Sequence, residues 1–231
     1  MEFNKALIIA AHPDDDILGC GGFLSKFGKD KDIRVVFIAE GTSCRFSSSE
    51  INEKKEEISN EIKHRNSCGK KALSYLGVKD CEFYNFACDR LDQIPLIDIN
   101  KIIENEISEF KPDIILTHSK KDLNSDHKII FSSVLTATRP VGKSKAKSIF
   151  SFEVLSSSEW NFSKSFVPNY FLELSREDID KKWAALSMYD TEVKEFPHPR
   201  SKEGIDTLAK YRGLQSGVPF AEAFKLIRSL P

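Results

Sequence analysis

The sequence predicts an α/β fold: a Rossmann-like, mostly parallel sheet with helices on both faces and an α-rich C-terminal extension. Three observations predict it. Short, near-continuous apolar runs recur along the first two thirds of the chain, as strands buried on both faces do. Most of these runs are followed by a stretch with helical spacing. Two of them end in clusters of His and Asp, at the strand ends where open α/β sheets bind their ligands.

Residues 5–11 (KALIIAA) form the first run, and Pro13 stops it. Asp14, Asp15 and Asp16 then offer N-cap oxygens for a helix over about 16–28. A second buried strand spans 33–39, followed by a polar loop and one long helical pattern over about 50–76 that closes at Gly77. The alternation continues with a strand at 81–86, a helix at 96–110, a strand at 113–117, a helix at 126–138 and a strand at 148–154. Beyond these the pattern predicts a strand at 170–174 and helices at 176–189, 204–212 and 220–228. No repeat or linker divides the chain, so we read one domain over 1–231, with a core to about 155 and an extension from about 156.

Composition narrows the function. The 34 basic and 35 acidic residues give a net charge of -1, without the basic excess that phosphate contacts require, so no nucleic-acid partner is expected. No apolar run approaches the roughly 18 residues of a membrane span, and Glu2 interrupts the basic segment of a secretory signal, which predicts a cytoplasmic protein without a membrane partner. The five cysteines, Cys20, Cys44, Cys68, Cys81 and Cys88, contain no C-x-x-C pair and read as reduced and structural.

His12, Asp14, Asp15 and Asp16 follow the first strand; His118, Asp122, Asn124, Asp126 and His127 follow the fourth. Two imidazoles and one carboxylate with a position left for water are the usual form of a catalytic zinc centre, and His12, Asp15 and His127 are the predicted ligands of one zinc ion per chain. Asp14 then lies beside the metal as general base and acid, and Asp126 can orient a ligating imidazole through its other ring nitrogen. The simpler reading of the three aspartates is helix capping, and that of a strand-end histidine is a satisfied structural role. What favours a metal is the co-occurrence of both clusters at one sheet edge. Gly19, Gly21 and Gly22 fit the dinucleotide pattern poorly, because its third glycine falls at Leu24, and close helix packing suits them better. Arg65 is read either as a ligand contact or as a surface salt bridge.

The segments AHPDDD (11–16) with LGCGG (18–22), and DLNSDH (122–127) after PDIILTH (112–118), resemble the two signature motifs of the PIG-L or LmbE-like family, mainly zinc-dependent deacetylases of N-acetylglucosamine-containing compounds. Weaker likeness continues through Arg65, 89–92, 138–140, 157–160, 197–201 and 221–224. The resemblance implies zinc on His12, Asp15 and His127, Asp14 as general base and a Rossmann-like sheet. The chain departs from it at Asp16, where many members have Glu, and at Asn124, where many have a histidine that helps hold the oxyanion. Either Asn124 or His118 is left for that role.

The expected activity is hydrolysis of the acetyl amide of an N-acetylated amino sugar. The alternatives are metal-dependent hydrolysis of another amide, an ester or a phosphoester, and a carbohydrate-binding protein with a vestigial metal site. Arg65, Arg90, Asp92 and Arg139 are assigned to sugar hydroxyls or a phosphate, with structural ion pairs as the competing reading. The aromatic-rich segment 150–171 offers surface for a homo-oligomer.

Overall fold

The computed structural model describes residues 2–140 and 146–230. In chain order the elements are β1 (Lys5–Ala10), α1 (Asp15–Phe27), β2 (Asp32–Ala39), α2 (Ser48–Glu53), α3 (Lys55–Tyr75), β3 (Asp80–Phe86) and α4 (Leu96–Phe110). They continue with β4 (Ile114–Thr117), α5 (Ser125–Ala137), β5 (Ser148–Phe152), β6 (Tyr170–Glu173), α6 (Arg176–Leu186), α7 (Lys202–Ser216) and β7 (Ala221–Ser229). One seven-stranded sheet runs in the order β3-β2-β1-β4-β5-β7-β6. The pairings among β1 to β5 are parallel, whereas β7 runs antiparallel to both β5 and β6. The fold is therefore the predicted α/β class.

Side chains along β1 alternate between two cores. Ala6, Ile8 and Ala10 pack with Ile17 and Leu18 of α1, Ala72 of α3, Ile179 of α6 and Ile205 of α7. Leu7 and Ile9 face Ile99 and Ile103 of α4 and Ile130 and Val134 of α5. With both faces covered, β1 must be apolar throughout, which is why it reads as a run. Each fully buried Leu or Ile contributes about 1.5–3 kcal/mol. A side chain at Gly19 or Gly22 would strike Phe152 or Leu174, so these glycines do let α1 approach the sheet closely.

Two expectations need correction. The helical pattern over 50–76 is two helices: a Ser47–Glu50 capping box starts α2 early, and the turn at Lys54 (φ -108°, ψ 30°) separates it from α3. More consequential, 220–228 is not a helix. Its Ala, Glu, Lys, Leu and Arg favour a helix locally, yet β7 fills the gap between β5 and β6 with hydrogen bonds on both edges. Glu222 on this strand accepts from the Gly22 and Phe23 amides and from Lys182 Nζ, at 2.8–3.0 Å. The C-terminal part therefore carries α6 and α7 and also completes the sheet.

Strand order reverses at β1 and β4, and the loops leaving the carboxyl ends of these neighbours diverge around a crevice. Both His/Asp clusters lie there. Among the described residues no helix is long and apolar enough to cross a membrane.

Candidate active site

His12 stands two residues past β1, His118 one residue past β4, and His127 in the first turn of α5. The Ala11 amide donates to His118 Nε2 over 2.7 Å, tying the two strand ends together, and the His118 and His127 rings stack with centroids 3.8 Å apart. Asn124 caps α5 by accepting from the Asp126 and His127 amides at 2.8 and 3.3 Å. That cap fixes where His127 enters the crevice.

Asp15 Oδ2 is the centre of the cluster. It lies 3.1 Å from His12 Nδ1 and 3.1 Å from His127 Nε2. His12, Asp15 and His127 each offer one donor atom within 4.8 Å of the other two, as a shared ion requires. Around tetrahedral zinc, nitrogen and oxygen ligands are separated by about 3.3–3.4 Å, so the observed spacing fits a divalent cation after a small expansion. The outer nitrogens also meet carboxylates, with His12 Nε2 3.1 Å from Asp126 Oδ2 and His127 Nδ1 3.2 Å from Asp122 Oδ1. Asp126 thus bears on His12, while Asp122 faces the adjacent His127.

Charge agrees with this reading. Burial alone would lower the His12 and His127 pKa values, but their carboxylate neighbours override it and raise them to about 10 and about 9. A divalent cation would supply the same positive charge to the buried carboxylates. His118 is different. Burial and the neighbouring His127 push its pKa well below the ordinary value, so this fully buried ring stays neutral.

Asp14 precedes α1 with φ +117° and makes no side-chain cap bond, so capping does not account for it. Its Oδ2 receives Arg200 Nη1 at 2.7 Å and Arg65 Nη2 at 3.1 Å. Its Oδ1 is buried and has no partner. Burial raises the Asp14 pKa and the two arginines oppose it, with the balance above the ordinary carboxylate value. Such a carboxylate, held in a sparsely populated backbone conformation with one oxygen free, is a candidate for proton transfer.

The family whose description is PIG-L, GlcNAc-PI de-N-acetylase, matches residues 7–138, more than half the chain and both His/Asp clusters. The chain belongs to this family.

A relative from Escherichia coli (strain K12), the uncharacterized deacetylase YaiS, is 29% identical over 189 residues, covering 79% of this chain and 89% of its own. Among solved structures, the N,N'-diacetylchitobiose deacetylase of Pyrococcus horikoshii has a TM-score of 0.78 at 16% identity, over 98% of this chain and 85% of that one. The 4-carboxy-2-hydroxymuconate hydratase GalB of Pseudomonas putida KT2440 has a TM-score of 0.74 at 20% identity, over 99% and 98%. At these identities the two structures establish the fold alone.

In this PIG-L chain the predicted contact residues separate. Arg65 is neither a surface salt bridge nor free for a ligand: its buried guanidinium donates to the Pro13 carbonyl at 3.0 Å and to Glu192, and it pairs with Asp14. Arg90 lies beside the crevice, its guanidinium near the Cys88 and Phe46 carbonyls. Asp126 accepts from the amides on either side of it, Asp89 at 2.6 Å and Leu91 at 3.2 Å, so one carboxylate fixes both His12 and the Arg90 backbone. Asp92 is exposed on the short turn that follows. Arg139 belongs elsewhere: it is exposed beyond the C-terminus of α5, the end opposite His127, where its Nε donates to the Thr136 carbonyl at 2.9 Å.

Three further residues serve the site. Asp122 accepts from Ser158 at 2.6 Å and from Ser157, besides facing His127. Arg200 binds both Asp14 and Glu192. Glu192 joins Arg45, Arg65 and Arg200, whose positive charge outweighs burial and holds its carboxyl at about 2. Asp122 carries a sequence signal, sitting in the same cluster as His127, and Arg200 ends a PHPR segment between two turns. Glu192 carries none, because two of its three arginine partners lie 127 and 147 positions away.

Proposed function

We propose that this chain is a metal-dependent hydrolase that removes the acetyl group from an N-acetylated amino sugar, with His12, Asp15 and His127 as ligands of one zinc ion. Membership of a de-N-acetylase family supports the reaction class, and the paired imidazoles around Asp15 support the ion. The observation that carries the proposal is Asp14, which is buried beside the ligand set with Oδ2 anchored by two arginines and Oδ1 unpartnered.

When bound, the metal supplies a water of lowered pKa and polarises the acetyl carbonyl. Asp14 Oδ1 takes the proton from the attacking water and returns it to the departing amine, acting first as base and then as acid. Arg65 and Arg200 keep that carboxylate aimed while it changes protonation. Asn124 already uses Oδ1 as a helix cap, which leaves its amide N–H groups to donate to the oxyanion. His118 accepts from Ala11 at Nε2, so its neutral ring carries the proton on Nδ1, which is buried without a partner and is the second candidate donor. Arg90, with its backbone pinned by Asp126, is placed to contact substrate beyond the acetyl group.

Purified protein should release acetate from members of a panel of N-acetylated amino sugars, lose that activity to a chelator, and regain it with zinc. Asp14→Asn should lower turnover by about 100- to 10,000-fold while metal content stays the same. Cleavage of esters or unrelated amides with no acetate from any amino sugar would move the reading to a different bond. Affinity for the sugars without product would identify a binding protein.

A further inference from the structure

We propose a second metal site, formed by His64, Cys68 and Asp190, that takes a borderline-soft transition ion of the zinc type. His64 and Cys68 are one turn apart on α3, and Asp190 follows α6. His64 Nε2 lies 3.0 Å from Asp190 Oδ1 and 3.6 Å from Cys68 Sγ, and all three donor atoms are within 4.8 Å of one another. Tetrahedral zinc separates nitrogen from oxygen ligands by about 3.3–3.4 Å and nitrogen from thiolate sulfur by about 3.5–3.6 Å. Both contacts to His64 are close to those values.

The arrangement differs from a surface ion pair in two respects. An exposed His–Asp contact has no need of a thiol beneath it, yet Cys68, only 4% exposed, aims its sulfur at the same ring nitrogen. In addition, the segment carrying Asp190 is locked against α3. Tyr189 is fully buried, and a Cβ at Gly69, the residue after Cys68, would stand 3.1 Å from its hydroxyl. The side chains of His64 and Asp190 are 55% and 68% exposed, so an ion can enter from solvent and retain water as its fourth ligand. Thiolate, imidazole and carboxylate together favour zinc over magnesium or calcium, which prefer oxygen alone. On binding, the Cys68 thiol loses its proton to solvent and the thiolate becomes the ligand.

This site shares no residue with the His12, Asp15 and His127 group, so it stands whether or not that group holds zinc. It does lie next to the acid-base machinery in sequence. Arg65 follows His64, and Glu192 is two residues past Asp190, so an ion here would fasten α3 to the segment that carries the Arg65 counter-ion.

Cobalt(II) is the probe, because thiolate ligation gives it an intense near-ultraviolet charge-transfer band and the other group has no sulfur. Chelator-stripped full-length protein titrated with cobalt(II) should show that band, saturating at one equivalent of cobalt bound to this site and at two equivalents in total when the His12, Asp15 and His127 group also takes the ion. Cys68→Ser should abolish it. His64→Ala, at an exposed position, should weaken cobalt binding at this site by more than the roughly 10- to 100-fold that loss of an outer hydrogen-bond partner costs. Cys88 also lies close to two other donor side chains, His12 and Asp126, so Cys88→Ser should leave the band in place. Absence of any sulfur band in the wild-type protein, a band that persists in Cys68→Ser, or unchanged cobalt affinity in His64→Ala would overturn the proposal.

Discussion

Arg200 Nη1 donates to Asp14 Oδ2 over 2.7 Å, joining residues 186 positions apart. The same nitrogen reaches Glu192 Oε2 at 2.8 Å, and Arg200 Nε reaches Ser156 Oγ at 2.7 Å. The carboxylate at the end of β1 is thus held by a guanidinium from the loop before α7.

Because Arg200 acts through Asp14, its effect should disappear when Asp14 cannot ionise. We expect Arg200→Met to lower kcat/KM by about 10- to 100-fold, the scale for an outer-sphere partner. In an Asp14→Asn background the same change should cost little more. Steady-state kinetics on the two single variants and the double variant measure the coupling, and additive losses would show that Arg200 acts on substrate directly.

The Asp126 carboxylate has two duties that can be separated. Asp126→Asn should weaken metal binding by about 10- to 100-fold through loss of the His12 contact. It should also leave one of the Asp89 and Leu91 amides without its acceptor, because asparagine keeps a single oxygen, raising KM if the Arg90 loop contacts substrate. Competition with a chromogenic chelator reads the first effect and kinetics at saturating metal the second.

Asn124 likewise combines a cap with a donor. Asn124→Asp keeps the acceptor oxygen for the Asp126 and His127 amides, so the helix start should hold within about 0.5 kcal/mol. The variant loses the side-chain N–H, and turnover should fall by about 100- to 1000-fold. Thermal unfolding beside acetate release tests this, and full activity in Asn124→Asp would remove the amide from the mechanism.

Glu192 makes a pH-dependent contribution to stability. Its carboxyl is held at about 2 in the fold against 4.5 as a free side chain, so the stabilisation is present above about pH 4.5 and is lost as pH falls toward 2. The shift corresponds to about 3 kcal/mol. Glu192→Gln should therefore lower unfolding free energy by about that amount near neutrality, with the gap to wild type shrinking by about 2 kcal/mol near pH 3. Urea titrations at both pH values decide it; a gap independent of pH would mean that the loss is packing alone.

Arg90 and Arg139 should behave in opposite ways. Arg139→Ala should leave kcat and KM unchanged, because its guanidinium lies at the far end of α5. Arg90→Ala should raise KM several-fold if that side chain touches substrate, a role its position beside the crevice supports.

How much of this was legible in the sequence depended on whether the causes are local. β1 is a continuous apolar run because both its faces are covered, and its end is marked by Pro13. The His/Asp clusters stand out because each lies within ten residues after a strand. β7 was misread because its residues favour a helix while its strand form depends on β5 and β6, some 50 to 80 positions away in sequence. The position of Arg139 at the far end of α5 was not legible because a motif says nothing about which end of a helix faces the crevice. Glu192 was missed for a related reason: a lone glutamate becomes notable only when Arg45 and Arg65 from distant segments join the nearby Arg200 on it.

The insertion of β7 between β5 and β6 also limits how the gene could be cut or recombined. A fragment ending near residue 155 would keep every candidate ligand of the first ion, yet it would expose β5 as a bare edge prone to intermolecular pairing. It would also strand Asp14 beside Arg65 without Arg200 or Glu192. The His/Asp clusters and the C-terminal strand must therefore be inherited together, and chimaeras between relatives should exchange the two as one unit.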